Sequence, residues 1–540
     1  MERIDTEVLV IGGGAAGLRA GIEARSLGKD VTIISKGKVG RSGNTVFAQC
    51  NLAVSGFSEK DGDSSSSYIL DVLNGGGGIN NKSLLKIMAE ESKTEILRLK
   101  EWGAEFLMTN GTFLLHDAPG HSYPRVVRTA LLSYPPKVHG LTITKPLMEE
   151  AKRQGIRLID GITIAELIKE DDQCKGAFGI INKSGKALLI SSKSTIIASG
   201  GGGRIFQHTN NALDITGDSF ALALNAGAFL IDMEFVQFYP TMAVKPVKIP
   251  IVSTLLGSGA ILKNALGERF MEKYSPEKKE MATRDITSRA IFKEIISGRG
   301  IEDAVYLDCS MVPKDIFNKR FSDVKELFRK FHIDIQREPI MVCPTTHFFM
   351  GGIQINKNCQ TRIKGAFACG EATGGVHGAN RISGNALTET LVMGTRAGKS
   401  AAQYIDSLER YQPLGTQIPL TTKNENINKK ARNELREIMW KSVSIIRSKD
   451  SLLKAREVIN EIRKRYHIDT HSPYFTREDN EIRNMLIVSE AIIISSLLRQ
   501  ESRGAHFRED IPETKKEHEG NFLIRKENNS LKGAFLKISS

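Results

Sequence analysis

A chain of 540 residues, 40% hydrophobic and 25% charged, is too long for one core and too apolar for disorder, so two or three folded domains are expected. No run of about 18 apolar residues occurs, so neither a spanning helix nor direct membrane insertion is expected. The net charge of +13 is spread along the chain, with some enrichment after Lys423 and no basic block interleaved with aromatics; this excludes a nucleic-acid partner and leaves a field favouring anionic substrates or an acidic redox partner, or a solvated surface.

The N-terminal MERIDTE is polar, unlike the apolar region of a signal peptide, and a cytoplasmic address is expected. Val8–Ile11 reads as a buried parallel strand, followed by Gly12, Gly14 and Gly17 in G-x-G-x-x-G spacing. An Ala/Leu-rich helical segment, opening with Ala15 and Ala16, runs to about Leu27. Glycine lets the backbone approach a pyrophosphate, and the new helix offers unpaired N–H groups to the phosphates, so a dinucleotide is expected. An NAD site usually ends its next strand in an acidic residue; here Asp30–Ser35 ends in Ser35 and Lys36, which argues against plain NAD. Lys36 is either a cofactor contact or a solvated strand-end charge.

Gly40–Asn51 (GRSGNTVFAQCN), carrying Ser42, Asn44, Thr45 and Gln49, is a small-residue loop suited to close approach to a flat ligand. Ser64–Ser67 and Gly75–Gly78 read as surface connection, and Ser83–Trp102 as an amphipathic helix. His121–Arg125 (HSYPR) is either a turn with one exposed basic residue or a wall of the cofactor or substrate site. Leu147–Gln154 reads as helix, and Arg157–Lys169 and Lys175–Ile190 as strands of a small antiparallel excursion. Ser194–Ile205, with Gly200, repeats the strand-to-glycine theme, and Asp218 is placed to N-cap the helix Ser219–Ala226.

From Asp232 to about Cys343 the pattern loosens into Pro-bearing loops and helices such as Ala282–Ile296, which suggests an inserted domain. The strand Ala366–Cys369 ends in Gly370 and Glu371; Ser383–Leu387, with Asn385, opens another helix whose N–H groups would stabilise negative charge. Asn433–Ser448, Lys449–Arg465 and Glu478–Gln500 complete a helix-rich end. The six cysteines form no C-x-x-C pair, which fits no disulfide framework, zinc site or iron–sulfur ligand set. Electrons would therefore pass through something other than a cluster or metal in this chain.

Five segments, in order, resemble the flavoprotein subunit family of fumarate reductase and succinate dehydrogenase, which includes L-aspartate oxidase. They are Met233–Phe238 (MEFVQF), Thr283–Asp285 (TRD), His347–Gly352 (HFFMGG), Gly378–Leu387 (GANRISGNAL) and Glu501–Glu513 (ESRGAHFREDIPE). The resemblance implies an α/β fold: a Rossmann-like FAD-binding domain (1–235 and 345–410), an inserted α+β capping domain (236–344) and a helical C-terminal domain (424–540). It implies hydride exchange between flavin N5 and a C=C or CH–CH bond next to a carboxylate. Arg284 is implied as proton donor, His347 and Arg381 as carboxylate clamps, and Glu371 as acceptor of ribityl hydroxyl bonds. A small carboxylate substrate and a separate iron–sulfur or ferredoxin-like electron partner are implied as well.

The chain also departs from that family. Asn44 stands where membrane-complex members carry the histidine that holds FAD covalently, so non-covalent FAD is expected. Cys50-Asn51 replaces Gly-Gly beside the flavin. Tyr239 precedes Pro240 where dicarboxylate-using members have histidine; by the position of GSGAIL, Val252-Ser253 falls at the family's Thr-Glu and Leu256 at its proton-path arginine. With Tyr239 and Ser253 in the substrate pocket, three readings stand. One is an enoate reductase for a substrate with one carboxylate; the second is ordinary fumarate/succinate chemistry; the third is amino-acid oxidation of the L-aspartate oxidase kind. A flavin-binding electron-transfer subunit without turnover is the non-catalytic alternative.

Overall fold

The computed structural model describes residues 2–57, 62–130, 138–251, 254–412, 414 and 429–537. Its organising sheet starts at β1 (Glu2–Ile11), which turns through the glycines into α1 (Ala15–Ser26) and returns as β2 (Val31–Ser35), parallel to β1. The strand expected over Arg157–Lys169 is broken at Gly161, whose φ of +74 only glycine adopts freely. Its first part, β3 (Arg157–Asp160), joins β2 in parallel, and its second, β4 (Ile162–Glu170), pairs antiparallel with β5 (Gln173–Ile181). The long strand β6 (Ala187–Ile197) ties the two parts together. Its whole length lies parallel to β1, while its other edge pairs first with β5 and then, at Thr195–Ile197, with a short parallel strand from far along the chain.

A second sheet is built on β7 (Val236–Ala243), antiparallel to β8 (Ile340–Phe349). Between these strands runs α2 (Arg284–Glu294), and residues 243–342 gather an apolar core of their own around Leu255, Leu262, Ile291 and Phe317. The chain then re-enters the first sheet through β9 (Ala366–Ala368) and α3 (Asn385–Asp406), which packs along α1. Gly394 and Gly398 permit that contact: a Cβ on Gly398 would lie 2.2 Å from the Ala20 carbonyl oxygen.

Three helices follow: α4 (Lys429–Val443), α5 (Lys449–Arg465) and α6 (Arg477–Leu498). The first stops five residues before the expected Ser448. Buried Arg447 turns back, its Nε donating to the Val443 carbonyl at 2.8 Å and its Nη1 to the Glu234 carbonyl at 2.7 Å, so the helix end is satisfied by a side chain. After the helices comes a hairpin without a marked sequence signal, β10 (Gly520–Glu527) and β11 (Ser530–Lys537). It extends a small sheet through Leu230–Ile231 and Gly352–Ile353. Among the described residues no helix is long and apolar enough to cross a membrane.

Candidate active site

The carboxyl ends of the parallel strands face the second sheet across a cavity of about 940 Å³. The glycine turn forms its floor. Gly12 has φ +123, and a Cβ there would lie 2.2 Å from the Ala198 carbonyl oxygen, so no other residue fits. Gly14 precedes α1 with no side-chain cap, leaving N–H groups of that 12-residue helix facing the cavity beside Ala15 and Ala16; Thr45 Oγ1 accepts one, from Ala15, at 3.3 Å. The 22-residue α3 repeats the device, with Gly384 at φ +84 and no side-chain cap. Two helix N-termini aimed into one cavity suit a pyrophosphate and a reducible anionic ring, so these residues fit FAD.

Ser35, Lys36, Ser42, Asn44, Thr45, Gln49, Gly200, Asp218, Glu371, Ser383 and Leu387 also line this cavity. Gly17, Gly370 and Asn385 do not. Gly17 is required by packing, since its Cβ would sit 1.9 Å from the Gly12 carbonyl oxygen; Gly370 would press a Cβ to 2.7 Å from that of Ala16. Asn385 Oδ1 accepts the buried Tyr68 hydroxyl at 2.9 Å.

Two charge assignments change. Asp218 is not an N-cap: Gly217, at φ +86, holds that position, and Asp218 instead accepts from Lys36 Nζ at 2.6 Å and Asn484 Nδ2 at 3.0 Å. Lys36 is not a solvated charge either. Its ammonium also meets Glu481 of α6 at 2.9 Å; burial disfavours the charge, but Asp218 and Glu481 outweigh it and hold the pKa above the ordinary lysine value. His121–Arg125 is neither an exposed turn nor a cavity wall. Arg125 is fully buried between Asp63 and Asp71, at 2.8 and 2.9 Å, and His121 Nε2 lies 2.7 Å from the Ser383 carbonyl oxygen.

Asn44 is locked rather than free. Its Oδ1 accepts from the Ala212 N–H at 3.0 Å, and its Nδ2 donates to Asn211 Oδ1 at 2.8 Å and Glu371 Oε2 at 3.0 Å. Burial pushes the Glu371 carboxyl up to about 7, even with Asn44 and the Phe349 N–H bonded to it. Cys50, at the position of the family's first glycine, carries φ +54 and lines the cavity, its thiol pushed up to about 11 by burial.

The second half of the cavity brings together Tyr239, Arg284, His347 and Arg381. Arg381 is buried, with Nη2 donating to Gln237 Oε1 at 2.8 Å and Nε unpartnered among the described residues. Burial, then the positive Arg284, pushes its pKa down to about 9. Arg284 begins α2, and its neighbour Asp285 pairs with Arg289 at 2.8 Å, so among the described residues no carboxylate neutralises Arg284. His347 is held well below the ordinary histidine range by burial, then by Arg381 and Arg284. Two guanidiniums beside a neutral imidazole, with no acid paired to them among the described residues, form an anion site.

Tyr239 turns its ring to this site: the Arg284 guanidinium carbon lies 5.2 Å from its centroid and the His347 ring 5.5 Å away. Its hydroxyl points elsewhere, donating to the Ile251 carbonyl at 2.8 Å, so the neutral hydrogen bond that a tyrosine could offer a ligand is spent on the backbone. Leu256 lies in the apolar core of residues 243–342 and does not line the cavity; Ser253 falls outside the described residues. The adjacent amides Asn210 and Asn211 also line the cavity; nothing in their local sequence, four residues before Thr216-Gly217-Asp218, marks them as site residues.

The chain is similar to known proteins along nearly its whole length. The FAD binding domain family model matches residues 7–387, and the fumarate reductase flavoprotein C-terminal model matches 432–538. An uncharacterised FAD-dependent oxidoreductase of Methanocaldococcus jannaschii is 40% identical, over 96% of each chain. A fumarate reductase (CoM/CoB) chain from Methanothermobacter marburgensis is 38% identical, over 97% of this chain and 98% of its own. In structure, Mycobacterium smegmatis Sdh1 in complex with UQ1 superimposes with a TM-score of 0.88 at 32% identity, over 99% of this chain and 94% of that one. The chain therefore belongs to the fumarate reductase and succinate dehydrogenase flavoprotein family, as an FAD-dependent oxidoreductase acting on CH–CH bonds.

Proposed function

We propose that this protein reduces a C=C bond next to a single carboxylate, holds FAD non-covalently, and receives electrons from a separate iron–sulfur protein. The observation that carries the substrate class is the Tyr239 hydroxyl, bonded to the Ile251 carbonyl, which leaves an aromatic face where a second carboxylate would need a cation. Bound FAD supplies the hydride exchange. Arg381, which lines the cavity, offers its buried charge to the substrate carboxylate, and His347 stands beside it. Arg284, at the start of α2 and free of any acid partner among the described residues, delivers a proton from its guanidinium to the neighbouring carbon. The Tyr239 ring, stacked by Arg284, receives the uncharged end of the substrate. Asn44, whose amide cannot form the histidyl bond to flavin, supports dissociable FAD.

The test is anaerobic reoxidation of the reduced, FAD-loaded protein by fumarate, cinnamate, other monocarboxylate acrylates and iminoaspartate, followed by flavin absorbance. Reoxidation by the monocarboxylates alone is expected. Rapid reoxidation by fumarate would overturn the substrate assignment, and reoxidation by iminoaspartate alone would move the reading to amino-acid oxidation.

A further inference from the structure

We propose that Asn210 is a positioning residue that fixes His347 as its Nε2–H tautomer through a chain of three asparagine amides; this rests on the reading that His347 faces the substrate carboxylate. The sense of each amide is set by the backbone. The Ala212 N–H can only donate, so the Asn44 atom 3.0 Å from it is Oδ1, and the Asn44 Nδ2 faces Asn211 Oδ1 at 2.8 Å. Asn211 Nδ2 must then donate, and finds the His347 carbonyl at 3.0 Å, which can only accept, and Asn210 Oδ1 at 3.2 Å. Asn210 then presents Nδ2 to His347 Nδ1 at 3.0 Å; its oxygen, already accepting from Asn211, lies farther from that nitrogen, at 3.3 Å, and the shorter contact sets the pairing.

An imidazole nitrogen that accepts carries no proton, so the ring proton of neutral His347 sits on Nε2. Reversing any one amide would set donor against donor or oxygen against oxygen along the chain. The charged and titratable groups facing the ring are Arg284, Arg381 and Tyr239, and the two cations oppose a second ring proton. His347 is thereby a donor of fixed sense toward an anion, through the pH range in which an ordinary histidine changes charge. The opposite tautomer would turn a lone pair toward the carboxylate.

The experiment uses the full-length, FAD-loaded protein with ¹⁵N-histidine, comparing the wild type with Asn210→Asp and Asn210→Thr. A carboxylate can only accept, so in Asn210→Asp the proton should move to Nδ1; the threonine hydroxyl can still donate and should preserve the Nε2–H form. With fumarate or cinnamate, whichever reoxidises the flavin, KM at pH 8 should rise roughly tenfold in Asn210→Asp and stay within about threefold in Asn210→Thr, with kcat changing less than KM. Asn210→Asp should also gain a pH limb, its KM improving as pH falls and the ring takes a second proton. Flavin content is measured in each variant to confirm folding. A wild-type Nδ1–H ring would overturn the proposal while leaving the substrate class untouched. Equal losses in both variants with no new pH limb would reduce Asn210 to packing, and a correct tautomer with unchanged KM in Asn210→Asp would overturn the role of His347 on which the proposal rests.

Discussion

Replacing Arg381 by methionine should make the substrate-free protein more stable and unable to bind substrate. The guanidinium is buried, and its pKa falls from 12.5 to about 9, so the protein holds this charge at a cost of up to ~5 kcal/mol at about 1.36 kcal/mol per pH unit. Against that gain, the variant leaves Gln237 Oε1 without its donor, which costs about 1–3 kcal/mol, and loses the stacking of Arg381 over Phe348, worth about 1–2 kcal/mol. A net stabilisation of up to about 3 kcal/mol remains. The assay is thermal unfolding of FAD-loaded protein with and without a saturating carboxylate ligand. Wild type should gain about 2.7 kcal/mol at a ligand concentration 100 times Kd, while the variant should gain none. A variant that is less stable than wild type and still stabilised by the ligand would refute the view that Arg381 is an uncompensated charge kept for an anion.

Arg284→Ala should abolish turnover, a loss of at least about 10³-fold, with FAD content unchanged; near-normal turnover in single-turnover reduction assays would remove Arg284 from proton transfer. Acid precipitation should release all the FAD, because Asn44 supplies no covalent attachment; colour retained in the pellet would contradict this. Glu371, raised from 4.5 to about 7, stays protonated in the fold at pH values where the unfolded chain is ionised. Apoprotein stability should therefore fall between pH 4.5 and about 7, by roughly 3 kcal/mol at most. Glu371→Gln should remove that fall, as read from urea midpoints across the range.

The parallel sheet, the glycine turn and the amphipathic helix at Ser83–Trp102 were legible because each is a local pattern: an apolar run, a spacing or a period of 3.6. Lys36 was not, because its partners Asp218 and Glu481 lie 182 and 445 residues away, and a strand-end lysine looks the same whether solvated or buried in an ion cluster. The same holds for Arg125, whose surroundings read as a polar turn until Asp63 and Asp71 close on it. Position 239 was legible as a departure, but not its consequence. Sequence offered a hydroxyl to the ligand; the fold gives it to Ile251 and leaves the ring.

Thr241 Oγ1 donates to the same Ile251 carbonyl at 2.8 Å, so Tyr239→Phe leaves the carbonyl satisfied and should cost under about 1 kcal/mol, with turnover retained. If the ring is what the substrate meets, phenylalanine is an adequate replacement; if the hydroxyl were a ligand, kcat/KM would collapse. Tyr239→His is the opposite change. An imidazole is too short to reach Ile251 as tyrosine does, and would turn an N–H donor toward the cavity, where an ionised substrate carboxylate can accept it. A charge-assisted bond is about twice as strong as a neutral one, so fumarate should gain at least about tenfold in kcat/KM while cinnamate loses. Steady-state reduction of both acids by wild type and the two variants decides the matter. A histidine variant indifferent to fumarate would mean that the second carboxylate, if one is bound, is met by residues other than position 239.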